Sequence, residues 1–242
     1  MVPTNSLGQP IGHPVPNWQP VSPPPRTPME GTFCRVEPRD IGAHAGDLFT
    51  AFRADADHRN WTYLGYGPFE TEADLRDWMT TSCLGDDPLF HAIVDSTSNK
   101  AIGVASYLRI EPSVGVIETG HIHYSPLLQR RAAATEAMFL MMRRVFAELG
   151  YRRYEWKCDA LNAPSRAAAE RLGFQFEGIF RQATLYKGRN RDSAWYSILD
   201  REWPALEHAY CRWLEPANFD AQGKQKTSLA AFMNTIEPAE SA

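Results

Sequence analysis

The chain has 242 residues, a formal net charge of −4 and a pI near 6.0. That length builds one catalytic domain with its own core and is marginal for two. The acidic balance speaks against a dedicated nucleic-acid binder, which carries a basic domain or stripe, and the longest purely apolar stretch, Ala137–Met142, is too short to cross a bilayer. Cys34, Cys83, Cys158 and Cys211 are widely spaced, with no CxxC pair and no short Cys/His cluster, so neither a metal site nor a disulfide framework is expected. The N-terminus lacks a basic start followed by an apolar run. The reading is a soluble protein of a reducing, cytoplasmic compartment, with no membrane partner.

Nine of the 18 prolines fall in residues 1–28, including Pro23-Pro24-Pro25. Such a segment buries too little apolar surface to offset its ordering entropy and is expected to be an extended arm, bounded at 1–30, that stays loose or drapes over the body. Its PxxP spacings, Pro20 to Pro23 and Pro25 to Pro28, also fit polyproline-helix recognition.

From residue 31 the signals alternate. Thr32–Glu37 reads as a strand and Ile41–Ala54 as a helix with Leu48, Ala51 and Phe52 on one face. An aromatic loop follows, from Asn60 to Phe69, and then a helix opened by Thr71 with Asp74 three residues on, an imperfect capping box. Leu89–Asp95, Ala101–Ile110 and Val114–Tyr124 form a meander, antiparallel by its short turns. Met138, Met141, Met142, Val145 and Leu149 mark the apolar face of a helix over 132–149, stopped by Gly150. In Arg153–Asp159 the residues Tyr154, Trp156 and Cys158 alternate with charged ones, as in a half-buried strand. Asn162 caps a short helix that ends at Gly173, strands at Phe174–Tyr186 and Asp192–Asp200 flank a polar turn, and a last helix spans Trp203–Leu214 before a polar tail, 215–242. The fold class is α+β, a mixed, mostly antiparallel sheet of about seven strands flanked by helices, with a strand–helix–strand crossover in its middle.

That crossover is where chemistry is expected. A helix N-terminus offers unpaired N–H groups and partial positive charge to an anion, and the helix at Ala132 begins with three alanines that let a phosphate approach its backbone. Residues 129–153 carry six arginines against Glu136 and Glu148, a local charge of +4. A solvated helix face accounts for the same arginines. No Walker or GxGxxG pattern is present.

The run from Ser125 through Gln129-Arg130-Arg131-Ala132-Ala133-Ala134-Thr135 to Ala137 resembles the acetyl-coenzyme A loop of the GNAT superfamily of N-acetyltransferases, and so does Asn162-Ala163-Pro164-Ser165 with Leu172-Gly173-Phe174 and Glu177-Gly178. The resemblance covers about residues 31–214. Asp192-Ser193-Ala194-Trp195-Tyr196 and Glu202-Trp203-Pro204 are most similar to the branch of ribosomal-protein-alanine acetyltransferases and the microcin C self-immunity acetyltransferase domain. It departs from the family at Ala132, where the first glycine of the loop is expected (Ala134 stands at its last small position), and at Ala169, where many relatives place a tyrosine acid.

The resemblance implies an acyl-coenzyme A N-acyltransferase fold, acetyl-coenzyme A as co-substrate, no metal, and direct attack of an amine on the thioester. It implies that Ile122, His123 and Tyr124, together with Gln129, Arg130, Arg131, Ala132, Ala133, Ala134, Thr135 and Asn162, hold the cofactor. Glu118 is the candidate base, acting through a water, or else a structural carboxylate. Ser165 is the candidate acid for the thiolate, or else a residue that bonds the helix start. His121 and His123 are a further base or metal pair, or ordinary core and rim histidines. Trp61, Tyr63, Tyr66 and Trp195 are expected to line the acceptor site, and Arg181, Lys187, Arg189 and Arg191 to meet an anionic acceptor or simply to solvate a hairpin turn. The expected acceptor is a small aminoacyl compound or toxin-like amine, alternatively a peptide N-terminus as in ribosomal-protein acetylation. A different class of reading is a degenerate acyl-coenzyme A-binding adaptor that works through the proline-rich arm. The oligomeric state is read as monomer or homodimer.

Overall fold

The computed structural model of the chain describes residues 2–234. In chain order its strands are β1 (Met29–Glu30), β2 (Cys34–Pro38), β3 (Leu89–Asp95), β4 (Lys100–Glu111), β5 (Val116–Tyr124), β6 (Arg153–Asp159), β7 (Gln175–Tyr186) and β8 (Arg189–Leu199). The helices are α1 (Ile41–Phe52), α2 (Glu72–Ser82), α3 (Ala132–Arg143), α4 (Ala163–Arg171), α5 (Trp203–Leu214) and α6 (Leu229–Met233). The strands form one sheet in the order β1-β2-β3-β4-β5-β6-β8-β7. Every neighbouring pair is antiparallel except β5–β6, which is joined through α3 as the crossover requires.

Two layers cover the sheet. On one face α3 and α5 bury Met138, Met141, Met142, Val145, Tyr154, Trp156, Tyr196 and Tyr210 in the main core. On the other face α1 and α2 cover only the first half of the sheet, packing Leu48, Phe52, Leu75 and Met79 against Ala92, Val94 and Val104. The capping box is real: Thr71 N–H donates to the Asp74 carboxylate at 2.9 Å and Asp74 N–H donates to Thr71 Oγ1 at 3.2 Å. The long helix keeps its expected extent, but its last turn, Arg144–Glu148, widens to π geometry before Gly150 turns the chain at φ 75°.

The sheet has eight strands where sequence periodicity predicts about seven. The added strand, β1, is two residues long and pairs Met29 with Val36 and Glu30 with Arg35. It is held from a distance. Glu136 on α3 accepts from the N–H groups of Thr32, Phe33 and Cys34 at 2.8, 2.6 and 2.8 Å, and a Cβ on Gly31 would lie 2.6 Å from that carboxylate. Glu136→Ala strands three backbone donors at once and is expected to cost roughly 3 kcal/mol, read as a lowered urea midpoint; an unchanged midpoint would show that water replaces the carboxylate.

The β7–β8 connection is tighter than the polar turn suggested. β8 begins at Arg189, and only Lys187 and Gly188, at φ 47° and 69°, make the turn. Two consecutive residues in the left-handed region are what a two-residue hairpin between twisted strands requires.

Residues 2–28 run without helix and are tied down along their second half. Trp18 Nε1 donates to Ser113 O at 2.8 Å, Val21 N–H to Pro112 O at 3.1 Å, and the Arg144 guanidinium to Thr27 O and Pro28 O at 2.6 and 3.0 Å. Beyond α5 the chain still packs: Phe219 meets Phe33 and Trp213 edge-on at 5.1 Å each, and Leu229 of α6 is buried. Residues 235–242 of the expected polar tail lie outside the described residues. Among the described residues no helix is long and apolar enough to cross a membrane.

Candidate active site

The parallel pairing of β5 and β6 runs from Val116↔Arg153 to Thr119↔Trp156 and stops there. Beyond that pair β5 continues against β4 alone, as far as Tyr124↔Gly103, and β6 against β8 alone, as far as Asp159↔Ser193. The two strands diverge into a wedge. Its cause lies in β5: between Gly120↔Ser106 and His123↔Val104, two residues, His121 and Ile122, oppose the single Ala105. His121 takes φ 49° to accommodate the extra residue, and a bulge of this kind bends and over-twists its strand. Among the described residues no strand pairs with the β6-facing edge of Gly120–Tyr124, so its backbone groups face the wedge.

The mouth of the wedge is the start of α3. Ser125 is fixed by its hydroxyl, which donates to Ile102 O at 2.5 Å, and the chain turns through Leu128 and Gln129, whose N–H groups donate to Ser125 O at 2.9 and 3.1 Å. Arg130 sits at φ 62° and Arg131 is the extended residue before the helix. Asp40, Thr71, Asn162 and Ser228 cap α1, α2, α4 and α6 with side-chain oxygens, whereas among the described residues no side chain caps α3 or α5. The first two residues of α3, the half-buried Ala132 and the buried Ala133, carry only methyl side chains, and anions are stabilised at such helix ends. Because these alanines are already helical, their Cβ atoms cost nothing.

The loop side chains behave differently from one another. Arg131 turns back to pair with Asp95 at 2.8 Å and to donate to Leu127 O at 3.1 Å. Gln129 donates to Asn60 Oδ1 at 3.1 Å and Tyr124 O at 2.8 Å. Both brace the loop, and all three side chains stay exposed. Thr135 is buried and accepts from Arg171 of α4 at 3.2 Å, a cation near the helix start that sequence spacing does not single out. The Tyr124 hydroxyl donates to Ala134 O at 3.1 Å.

The opposite wall is the end of β6 and the start of α4. Asn162 Oδ1 accepts from Ser165 N–H at 3.2 Å, which leaves its amide N–H₂ free to donate. The Ser165 hydroxyl accepts from Trp156 Nε1 at 3.1 Å and neighbours the Cys158 thiol, which burial pushes up. Ala169 is fully buried.

On the sheet face that α1 and α2 leave open, Glu118 lies one residue before the strands part. It is 4% exposed, with Oε2 2.9 Å from Lys157 Nζ and 3.0 Å from Arg109 Nε. Burial raises its proton affinity above the ordinary carboxylate range; Lys157 and Arg109 oppose that pull without cancelling it. His123 is no partner in this chemistry. Its ring is stacked on Phe52 at 4.2 Å and set edge-on to Trp61 at 3.8 Å, and burial drives its pKa down to about 3. Only its backbone reaches the wedge. His121, half-buried beside Tyr66 and Phe90, is also lowered by burial and then by Arg191. Among the described residues no group of three His, Cys, Asp or Glu could hold a metal ion.

The aromatic loop is a fastened flap. Trp61 is buried among Phe52, Tyr66, Phe69 and His123. Lys187 Nζ donates to Trp61 O at 2.9 Å and Arg189 to Thr62 O at 2.6 Å, so these two cations of the hairpin are spent on holding the loop. Tyr63 donates to Leu161 O at 3.1 Å, next to Asn162, and Tyr66 stacks on Trp78 at 4.3 Å. Trp195 lies over Lys157, whose Nζ is 3.7 Å from the ring centroid.

The eight-stranded, mostly antiparallel sheet with its diverging parallel pair and flanking helices is the acyl-coenzyme A N-acyltransferase fold, as the solved structures below show. Residues 35–175 match the family model described as an acetyltransferase (GNAT) domain, and the chain belongs to that family. A solved structure of a GCN5-related N-acetyltransferase from Brucella melitensis is 50% identical, with 90% of this chain and 99% of that one covered and a TM-score of 0.88. A probable GNAT-family acetyltransferase from Chromobacterium violaceum is 39% identical over 81% of this chain and 98% of its own, with a TM-score of 0.75. An uncharacterized N-acetyltransferase, p20, from Bacillus licheniformis is 29% identical over 58% of this chain and 80% of its own. The Microcin C7 self immunity acetyltransferase MccE, in complex with acetyl-CoA and AMP, shares the fold at 20% identity and a TM-score of 0.61, covering 70% of this chain and 93% of that one. RimL, a ribosomal L7/L12 alpha-N-protein acetyltransferase, shares it at 19% and 0.58, covering 74% and 94%.

Proposed function

We propose that the protein transfers the acetyl group of acetyl-coenzyme A to a primary amine. The observation that carries this reading is the coincidence of an unpaired β5 edge, opened by the bulge at His121–Ile122, with a helix start that no side chain caps. These residues fit the co-substrate. The Gln129–Thr135 turn would take its phosphates, the backbone of Ile122, His123 and Tyr124 its pantetheine arm, and the free amide N–H₂ of Asn162 the same arm from the far wall. Acetyl-coenzyme A supplies the activated acyl group as a thioester open to direct attack.

A neutral amine is the nucleophile, so a proton must leave the ammonium and another must reach the departing sulfur. Glu118, at the point where the strands part, accepts the first proton through a water. Its burial holds it nearer to neutral pH than an exposed carboxylate, which suits a general base. Ser165, whose oxygen already accepts from Trp156 Nε1, donates its proton toward the sulfur and takes one back from solvent.

We favour a small aminoacyl compound or toxin-like amine as acceptor. The flap that would cover such an acceptor is fastened by Tyr63–Leu161, Lys187–Trp61 and Arg189–Thr62. Tyr63, Tyr66 and Trp195 are the walls such an amine meets. Cys34, Cys83, Cys158 and Cys211 are all free thiols, in keeping with a reducing, cytoplasmic setting.

Calorimetric titration with acetyl-coenzyme A tests the site. The protein should bind, and Ala132→Trp, which puts an indole over the helix start, should weaken binding at least tenfold without unfolding the chain. A protein that does not bind would rule out the transferase reading. Turnover on small aminoacyl amines but not on alanyl or seryl peptides supports the acceptor assignment, and the reverse assigns a protein N-terminus instead. Binding with no turnover on either class would point to the adaptor.

A further inference from the structure

The parallel register that brings β5 beside β6 sets Glu118 directly opposite Glu155. Neighbouring strands lie about 4.8 Å apart, so two carboxylates on one face of such a pair repel, more strongly because both are shielded from water. Their side chains are only 6% and 8% exposed. One group separates them. Lys157, two residues along β6 on the same face, places Nζ 2.9 Å from Glu118 and 2.7 Å from Glu155, and its own side chain is 6% exposed. Trp195, its partner on β8, closes over the ammonium at 3.7 Å and removes the freedom a lysine ordinarily has. The other charged groups complete a row: Arg109 of β4 at 3.0 Å from Glu118, Arg153 of β6 at 2.7 Å from Glu155, and Glu177 of β7 paired with Arg153. Tyr154, the buried phenol next to Glu155, lies close enough to feel the Glu118 charge. Arg109 is 62% exposed and screened; Lys157 is the cation that water cannot replace.

We propose that Lys157 is the positioning residue of this active site: it bridges Glu118 and Glu155, keeps Glu118 an anion beside Glu155, and holds that carboxylate at the point where β5 and β6 part. The proposal rests on Glu118 as the proton acceptor. Lys157 touches neither the acyl group nor the amine. It acts through Glu118, and Trp195 acts through Lys157 by fixing it.

The sign of the effect follows. Without the ammonium, Glu118 loses its buried counter-ion and faces Glu155 alone, so the pair binds one proton more tightly and is less often fully ionised near neutral pH. Removing Glu155 instead takes away the repulsion and leaves Lys157 to Glu118, so Glu118 binds its proton less tightly.

The test is the titration of the Glu118 and Glu155 side-chain carboxyl carbons, followed by NMR in the full chain labelled at glutamate. In Lys157→Met the upper midpoint of the pair should rise by roughly 1–3 pH units. Lys157→Arg, which restores the charge, should return it toward the unsubstituted protein. Glu155→Gln should lower the Glu118 midpoint, and this isosteric variant keeps the test open if Lys157→Met does not fold. Midpoints that stay in place in the folded variants would overturn the proposal and leave Lys157 as a packing residue. Glu118→Gln, assayed for acetyl-coenzyme A turnover on the amine panel, separates the two claims: unchanged turnover there removes Glu118 as base, whatever the titrations show.

Discussion

Glu118→Gln is expected to slow acetyl transfer about a hundredfold or more at neutral pH while acetyl-coenzyme A affinity changes by no more than about threefold. The amide keeps the size of the carboxylate and leaves Lys157 its second partner, Glu155, at 2.7 Å, so the sheet around it should hold. What it removes is a proton acceptor at the one place on β5 where the backbone is about to leave β6. Because Glu118 is raised above the usual carboxylate range by burial, the rate of the unsubstituted protein should fall on the acid side at a higher pH than an exposed glutamate would give. That acid limb should vanish in the variant. A variant whose loss appears wholly in co-substrate binding, with the limb intact, would mean that Glu118 braces the strand and that the proton leaves by another route.

The largest effect on stability is expected from acid. His91 and His123 are buried, and among the described residues the ring nitrogens of His123 have no hydrogen-bond partner. Burial lowers His123 to about 3, and burial aided by Arg144 lowers His91 to about 4, against 6.5 for an ordinary histidine. A depressed folded value means stability that is complete above about pH 6.5 and lost as pH falls toward those lower values. Between pH 7 and pH 4 each histidine should cost the fold roughly 3 kcal/mol, and the pair together a large part of the 5–15 kcal/mol typical of a domain. The urea midpoint should therefore drop steeply below pH 6. The double variant His91→Phe/His123→Phe, aromatic at both places and unable to take a proton, should flatten that slope. An equally steep fall in the double variant would assign acid lability to the carboxylates instead.

Much of the molecule was legible because it is written in local periods. The apolar faces of 41–54 and 132–149, the alternation in Arg153–Asp159, the Thr71–Asp74 cap and the Gly150 stop each depend on neighbours within a few residues. The structure has helices or strands at all of them. The crossover was legible for the same reason, since a long helix between two strands imposes a parallel pair. Its loop carried enough family-like residues to direct attention to Ala132.

The site itself was legible only in outline. Glu118 stood out only through the family resemblance, and Lys157 is an unremarkable charged strand residue until the sheet brings the two within 2.9 Å. The bulge at His121–Ile122 leaves no mark on the alternation of apolar residues, yet it opens the wedge. Lys187 and Arg189 are a polar turn in sequence and the fastenings of the aromatic flap in space. Trp61 and His123, equally suited in sequence to a pocket, fill a core.

By itself, then, the sequence determined the order and type of most elements, which follow from backbone geometry and short-range spacing, and its motifs carried the resemblance to the family. The tertiary structure alone decided which carboxylate keeps a counter-ion, which histidine stays neutral and which cations are spent on carbonyls. Burial and charge pairing depend on register between segments tens of residues apart, and no local pattern encodes that register.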